Sequence, residues 1–158
     1  MRNSRRGVRP AILGPLVAAM ALVGFTAVEA ADDPANVIKY RQTIMQSHGT
    51  HLAPIVMVVN GEVSFTGHVV AHARAAHAVS LMLDDVFPEG TDTGDTRATP
   101  AIWQKPAEFD AAVKALQAAT GELVRLAESG DMAAVGAQMN KVVESCGGCH
   151  KPFRKKKQ

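Results

Sequence analysis

Cys146-Gly147-Gly148-Cys149-His150 stands near the C-terminal end of a chain of 158 residues. Its spacing is C-x-x-C-H, the pattern that attaches a c-type haem. Two thiols separated by two residues match the distance between the two vinyl groups of the porphyrin along one helical turn. His150, next to the second thiol, is placed to ligate the iron, and the glycines between keep the porphyrin edge clear of side chains. A zinc centre would need four ligands, usually from two such pairs, and the chain holds no other cysteine. A thioredoxin-like thiol pair would sit beside a βαβ pattern, and no strand-rich stretch precedes this one. The motif therefore assigns one haem c with its iron, anchored by Cys146 and Cys149 and ligated on its proximal side by His150.

Outward from the motif, the length allows one domain. Residues 1–30 fall outside that domain. Arg2, Arg5, Arg6 and Arg9 form a basic start, Ala11 to Ala27 is almost wholly apolar, and Val28-Glu29-Ala30 offers small residues before a cut. This pattern predicts a cleaved secretory signal and a mature chain of residues 31–158 exported to the periplasm. A membrane anchor is the rival reading, but the apolar run is short and a cleavage site follows it. No membrane insertion is expected after cleavage. The formal charge of +2 contains four arginines and one glutamate of the signal, so the mature chain is near −1. That balance gives no reason to expect a nucleic-acid partner. Arg154-Lys155-Lys156-Lys157 is a basic run just after the haem motif, a solvated tail that could also steer an acidic partner protein.

The mature chain reads as helices. Asp33 followed by Pro34 is a cap and a first-turn proline. Apolar residues at helical spacing then predict a first helix over 34–59, broken or bent at Pro54. A second runs over 66–86 and closes at Phe87-Pro88. Residues 89–100 are a loop by composition, and Ala101-Ile102-Trp103 folds back against the core. Pro106 opens a third helix lasting to Glu128, and Asp131 caps a fourth that runs into the haem motif. Four amphipathic helices without a convincing strand predict an all-α fold, an antiparallel four-helix bundle with haem near the end of the fourth helix.

Tyr40-Arg41-Gln42, Pro100-Ala101-Ile102-Trp103 and the haem motif with Phe153-Arg154 together resemble the class II cytochromes c, the cytochrome c′ and cytochrome c-556 family. The resemblance covers the whole mature chain. It implies that the iron's other face meets the first helix just after the Arg-Gln pair. High-spin cytochromes c′ have leucine or phenylalanine there, and low-spin members have a ligating methionine. This chain has Met45, so the resemblance is closer to the low-spin c-556 type, with Met45 as the distal iron ligand. Gly49, one turn on, leaves room beside the ring. The plain alternative is that Met45 fills the core like any methionine on an apolar helix face. The resemblance also makes Arg154 and Arg41 haem-edge or propionate contacts, with solvation or a surface ion pair as the other reading. His48 and His51 could replace Met45 on the iron. His68 and His72, four apart, could share a metal, but no third ligand accompanies them.

Two functions follow. A His150/Met45 iron with no open position suits an electron carrier working with periplasmic redox partner proteins, since a Met/His pair raises the potential. Met45 favours the carrier, and the alternative is a five-coordinate iron that binds nitric oxide or carbon monoxide. No acid–base pair accompanies the haem motif, so the chain is not expected to be an enzyme. A family-style homodimer through the first two helices would use the small residues Ala71, Ala73, Ala75, Ala76 and Ala78.

Overall fold

The computed structural model describes residues 32–156. The expected signal segment, residues 1–30, lies outside them. Five helices follow one another: α1 (Pro34–Val59), α2 (Val69–Leu81), a short α3 (Ala101–Gln104), α4 (Pro106–Ser129) and α5 (Met132–Phe153). Single 3-10 turns, Thr66–His68 and Met82–Asp84, extend α2 at either end. The described residues contain no strand, only an isolated antiparallel bridge between Ala98 and Arg154. The long helices α1, α2, α4 and α5 form the expected four-helix bundle.

Local chemistry sets the helix ends. The Asp33 carboxylate accepts the Ala35 backbone N–H at 2.8 Å, with Pro34 in the first turn. Gly130 ends α4 at φ 76°, a left-handed conformation that glycine adopts without a Cβ clash. Asp131 then accepts the Ala134 N–H at 2.9 Å and starts α5, so two helices are joined by two residues. The break anticipated at Pro54 is absent, and α1 continues to Val59. The proline gives up one backbone hydrogen bond, while Ile55, with no exposed surface, holds the second half of the helix in the core. The second helix is shorter than its apolar pattern suggested. Its last turn tightens to 3-10 as the chain approaches Phe87-Pro88, where the residue before proline disfavours helix.

Packing runs α1 on α2, α2 on α4 and α4 on α5, and the α1–α5 seam has much the least direct contact of the four. Ile55, Leu123, Val135 and Val142 are fully excluded from solvent and form the centre of the core. Leu123→Ala is expected to cost about 2–5 kcal/mol of unfolding free energy, the range for emptying a buried leucine site; urea denaturation of the haem-loaded protein measures it. The seam is tight where α1 ends and α5 begins. A Cβ on Gly136 would stand only 2.9 Å from Val59 Cγ1, so that approach needs glycine. Towards the other end of the bundle the same two helices part around a cavity. Ala73 and Ala76 are fully buried in the intrachain core and are not free for a dimer surface; of the five alanines, Ala71 and Ala78 are exposed.

Candidate haem site

The cavity measures about 360 Å³ and lies between the middle of α1, the end of α2, the loop before α3, the first half of α4 and the end of α5. All six site residues singled out in the sequence line it: Arg41, Met45, Cys146, Cys149, His150 and Arg154. Antiparallel packing produces this meeting, because the start of α1 and the end of α5 fall at the same end of the bundle.

On the α5 side, Cys146 and Cys149 are one turn apart, half-buried and not joined in a disulfide. Burial pushes both thiols up, Cys149 to about 11, with Cys146 adding to the rise and Arg154 opposing it. Both are therefore neutral thiols at ordinary pH in the folded chain, unlike the low-pKa thiolates of reactive cysteines. Burial also lowers the His150 pKa, and the positive charges of Arg154 and Arg97, with His48, lower it further. A neutral imidazole has a free ring nitrogen for a metal.

The α1 side carries Met45, His48, Gly49 and Leu52. Met45 is half-buried and packs against the main core cluster while lining the cavity. Nothing lies within 4 Å of where a Gly49 Cβ would be, so the wall is open there as expected. His48 is 7% exposed, and its Nε2 is buried with no hydrogen-bond partner. An orphaned polar atom on the cavity wall, two neutral thiols opposite and an adjoining imidazole all fit a bound haem c.

Arg41 is buried rather than paired at the surface. Its guanidinium donates to Thr91 Oγ1 and the Thr91 carbonyl, both at 3.0 Å, and to Thr96 Oγ1 at 2.8 Å, and it lies 4.7 Å from the Phe87 ring centroid. Among the described residues its contacts are to neutral acceptors, with no carboxylate in the ion pairs. Burial lowers its pKa, yet guanidinium stays charged. Arg97, which the sequence gave no reason to select, also lines the cavity and is held by two bonds to the Lys155 carbonyl at 3.0 and 2.7 Å. With Arg154 this makes three cations at the cavity, a charge pattern that would accept two propionates.

The loop is fastened to the haem helix by Thr99 N–H to the Phe153 carbonyl at 3.0 Å and Lys155 N–H to the Arg97 carbonyl at 2.7 Å. The backbone of the basic tail is thus tied down at Lys155. Trp103 folds back as expected, and its Nε1 donates to the Phe87 carbonyl at 3.1 Å. Phe87, Phe109 and Phe153 stack edge-to-face, with centroids 4.8 and 5.2 Å apart. The other histidines lie elsewhere. His72 meets His51 of α1 at 3.3 Å between Nδ1 atoms. The described residues hold no group of three or more metal-binding side chains. His77 bonds Thr120 Oγ1 at 3.0 Å between α2 and α4.

The chain is similar to known proteins along most of its length. Cytochrome c′ from Rhodospirillum rubrum is 34% identical over 88% of this chain and 95% of its own length. A cytochrome c-556 from Agrobacterium tumefaciens is 27% identical, over 78% of this chain and all of its own. Variants of cytochrome c prime from Alcaligenes xylosoxidans superpose with a TM-score of 0.74 at 29% identity. One is a nitric oxide complex covering 81% of this chain and 100% of that one, and one is carbon monoxide-bound, covering 78% and 98%. The family model for cytochrome C′ matches residues 36–154. Because that match takes in nearly all of the bundle, from the start of α1 to the residue after α5, the chain belongs to the cytochrome c′ family.

Proposed function

We propose that this member of the cytochrome c′ family is a periplasmic haem protein that binds nitric oxide or carbon monoxide on the α1 side of its haem. The observation that carries the reading is the α1 wall of the cavity, where the half-buried Met45 packs against the main core and open space adjoins Gly49. Relatives of the same fold solved with nitric oxide and with carbon monoxide support it. Bound haem c supplies a redox-active iron with one coordination position on each side of the ring. The chain supplies the rest. Cys146 and Cys149 hold the ring at the end of α5, and His150 offers a neutral imidazole to one face. Arg41, Arg97 and Arg154 bring positive charge towards the propionates, while Leu83, Phe109 and Leu116 exclude water.

Met45 favours a second reading, an electron carrier of the c-556 type with low-spin His150/Met45 iron and periplasmic redox partners, because its thioether lines the same cavity as His150. The two readings separate in one absorption spectrum. The ligand-binding reading expects ferric protein at neutral pH to be five-coordinate and high-spin, ferrous protein to take up carbon monoxide, and Met45→Leu to leave the spin state unchanged; Leu for Met conserves volume, so the bundle should still fold. A low-spin ferric spectrum with a far-red methionine-to-iron band that Met45→Leu abolishes would overturn it in favour of the carrier.

A further inference from the structure

One turn along α1 from Met45 stands an imidazole with nothing in the protein to bond. His48 is 7% exposed, lines the cavity and keeps Nε2 buried without a partner. Leaving such an atom unsatisfied forfeits its hydration without replacement, and native structures keep few of them. An apolar side chain would fill the same place without that cost. The i, i+3 spacing puts His48 and Met45 on one face of α1, and His48 and His150 line the cavity from opposite helices. His51, the other titratable group acting on His48, sits one turn further along α1. Burial lowers the His48 pKa, and even a neutral imidazole carries one N–H donor. The contents of the cavity are what remain for that donor to meet.

We propose that His48, through Nε2–H, donates a hydrogen bond to a diatomic ligand held on the α1 side of the haem and so discriminates among ligands of the same size. This rests on the ligand-binding reading above and gives that site a specificity-determining residue. A buried donor favours a ligand whose outer atom accumulates negative charge, and it gains little from one that stays unpolarised.

The test is the carbon–oxygen stretching frequency of the ferrous carbon monoxide complex of the haem-loaded protein, in the parent, His48→Leu, His48→Phe and His48→Gln. A donor draws charge onto the ligand oxygen and lowers the stretch. His48→Leu and His48→Phe should therefore shift the band upward, and His48→Gln, which keeps an N–H donor, should return it part of the way. If the leucine variant does not fold, the phenylalanine variant carries the comparison. Carbon monoxide binding with the same stretch in parent and apolar variants overturns the role of His48 and leaves ligand binding standing. A parent that takes up no carbon monoxide overturns both. A low-spin bis-imidazole ferric spectrum that His48→Leu abolishes also overturns the donor role, because His48 would then be an iron ligand.

Discussion

Haem should be lost completely from denatured protein when Cys146 and Cys149 are both replaced by alanine, whereas the parent should keep it through acid–acetone extraction. The reason lies in which bonds need the fold. Coordination by His150 would require α5 and α1 to enclose the cavity, so that contribution would end at unfolding. A thioether is an ordinary covalent bond and survives. Both thiols are free, half-buried and one turn apart at the cavity wall, and both are held in the neutral form by burial. Each single replacement should leave one linkage and weaken retention. Haem staining of denaturing gels reads the result directly. Haem that stays with the double variant after extraction would rule out thioether attachment at this motif.

Arg41→Ala should destabilise the protein by about 3 kcal/mol or more, the scale for stripping partners from several buried polar groups at once. The guanidinium satisfies Thr91 through both side chain and carbonyl, Thr96 through its hydroxyl, and it covers the Phe87 ring. Those partners belong to a loop with little regular structure, so the loop depends on α1 for its shape. Arg41→Lys should recover little, since one ammonium cannot reproduce a planar fork of donors. Urea denaturation gives the loss, and amide exchange over residues 91–96 shows where it falls. A variant as stable as the parent, with the same exchange in the loop, would refute the clamp.

Legibility in the sequence followed the range of the interactions. The haem motif is readable because its chemistry lies within five adjacent residues, and the helix ends because Asp33, Gly130 and Asp131 act on neighbours within a few positions. Met45 and Arg41 came to notice through a resemblance, and the cavity places both at its wall. What Arg41 holds was not readable, since Thr91 and Thr96 lie 50 and 55 positions away on a loop without periodicity. Arg97 was missed for the same reason: its place depends on the Lys155 carbonyl, 58 positions on. His48 could be noticed as a histidine near the expected iron, but its isolation is a property of the packed bundle. Of the break or bend expected at Pro54 the break does not occur, because a local rule about one missing hydrogen bond was weighed without the burial of Ile55 beside it.

The contact between Gly136 and Val59 gives the bundle a fulcrum. A methyl group added at Gly136 would meet Val59 Cγ1 at 2.9 Å, so something must shift where α1 and α5 close on each other, away from their far ends. Those far ends are the jaws that carry Met45 and His48 on one side and His150 on the other. A residue that touches no part of the haem site thus limits how closely the helices forming its two walls approach at their other end.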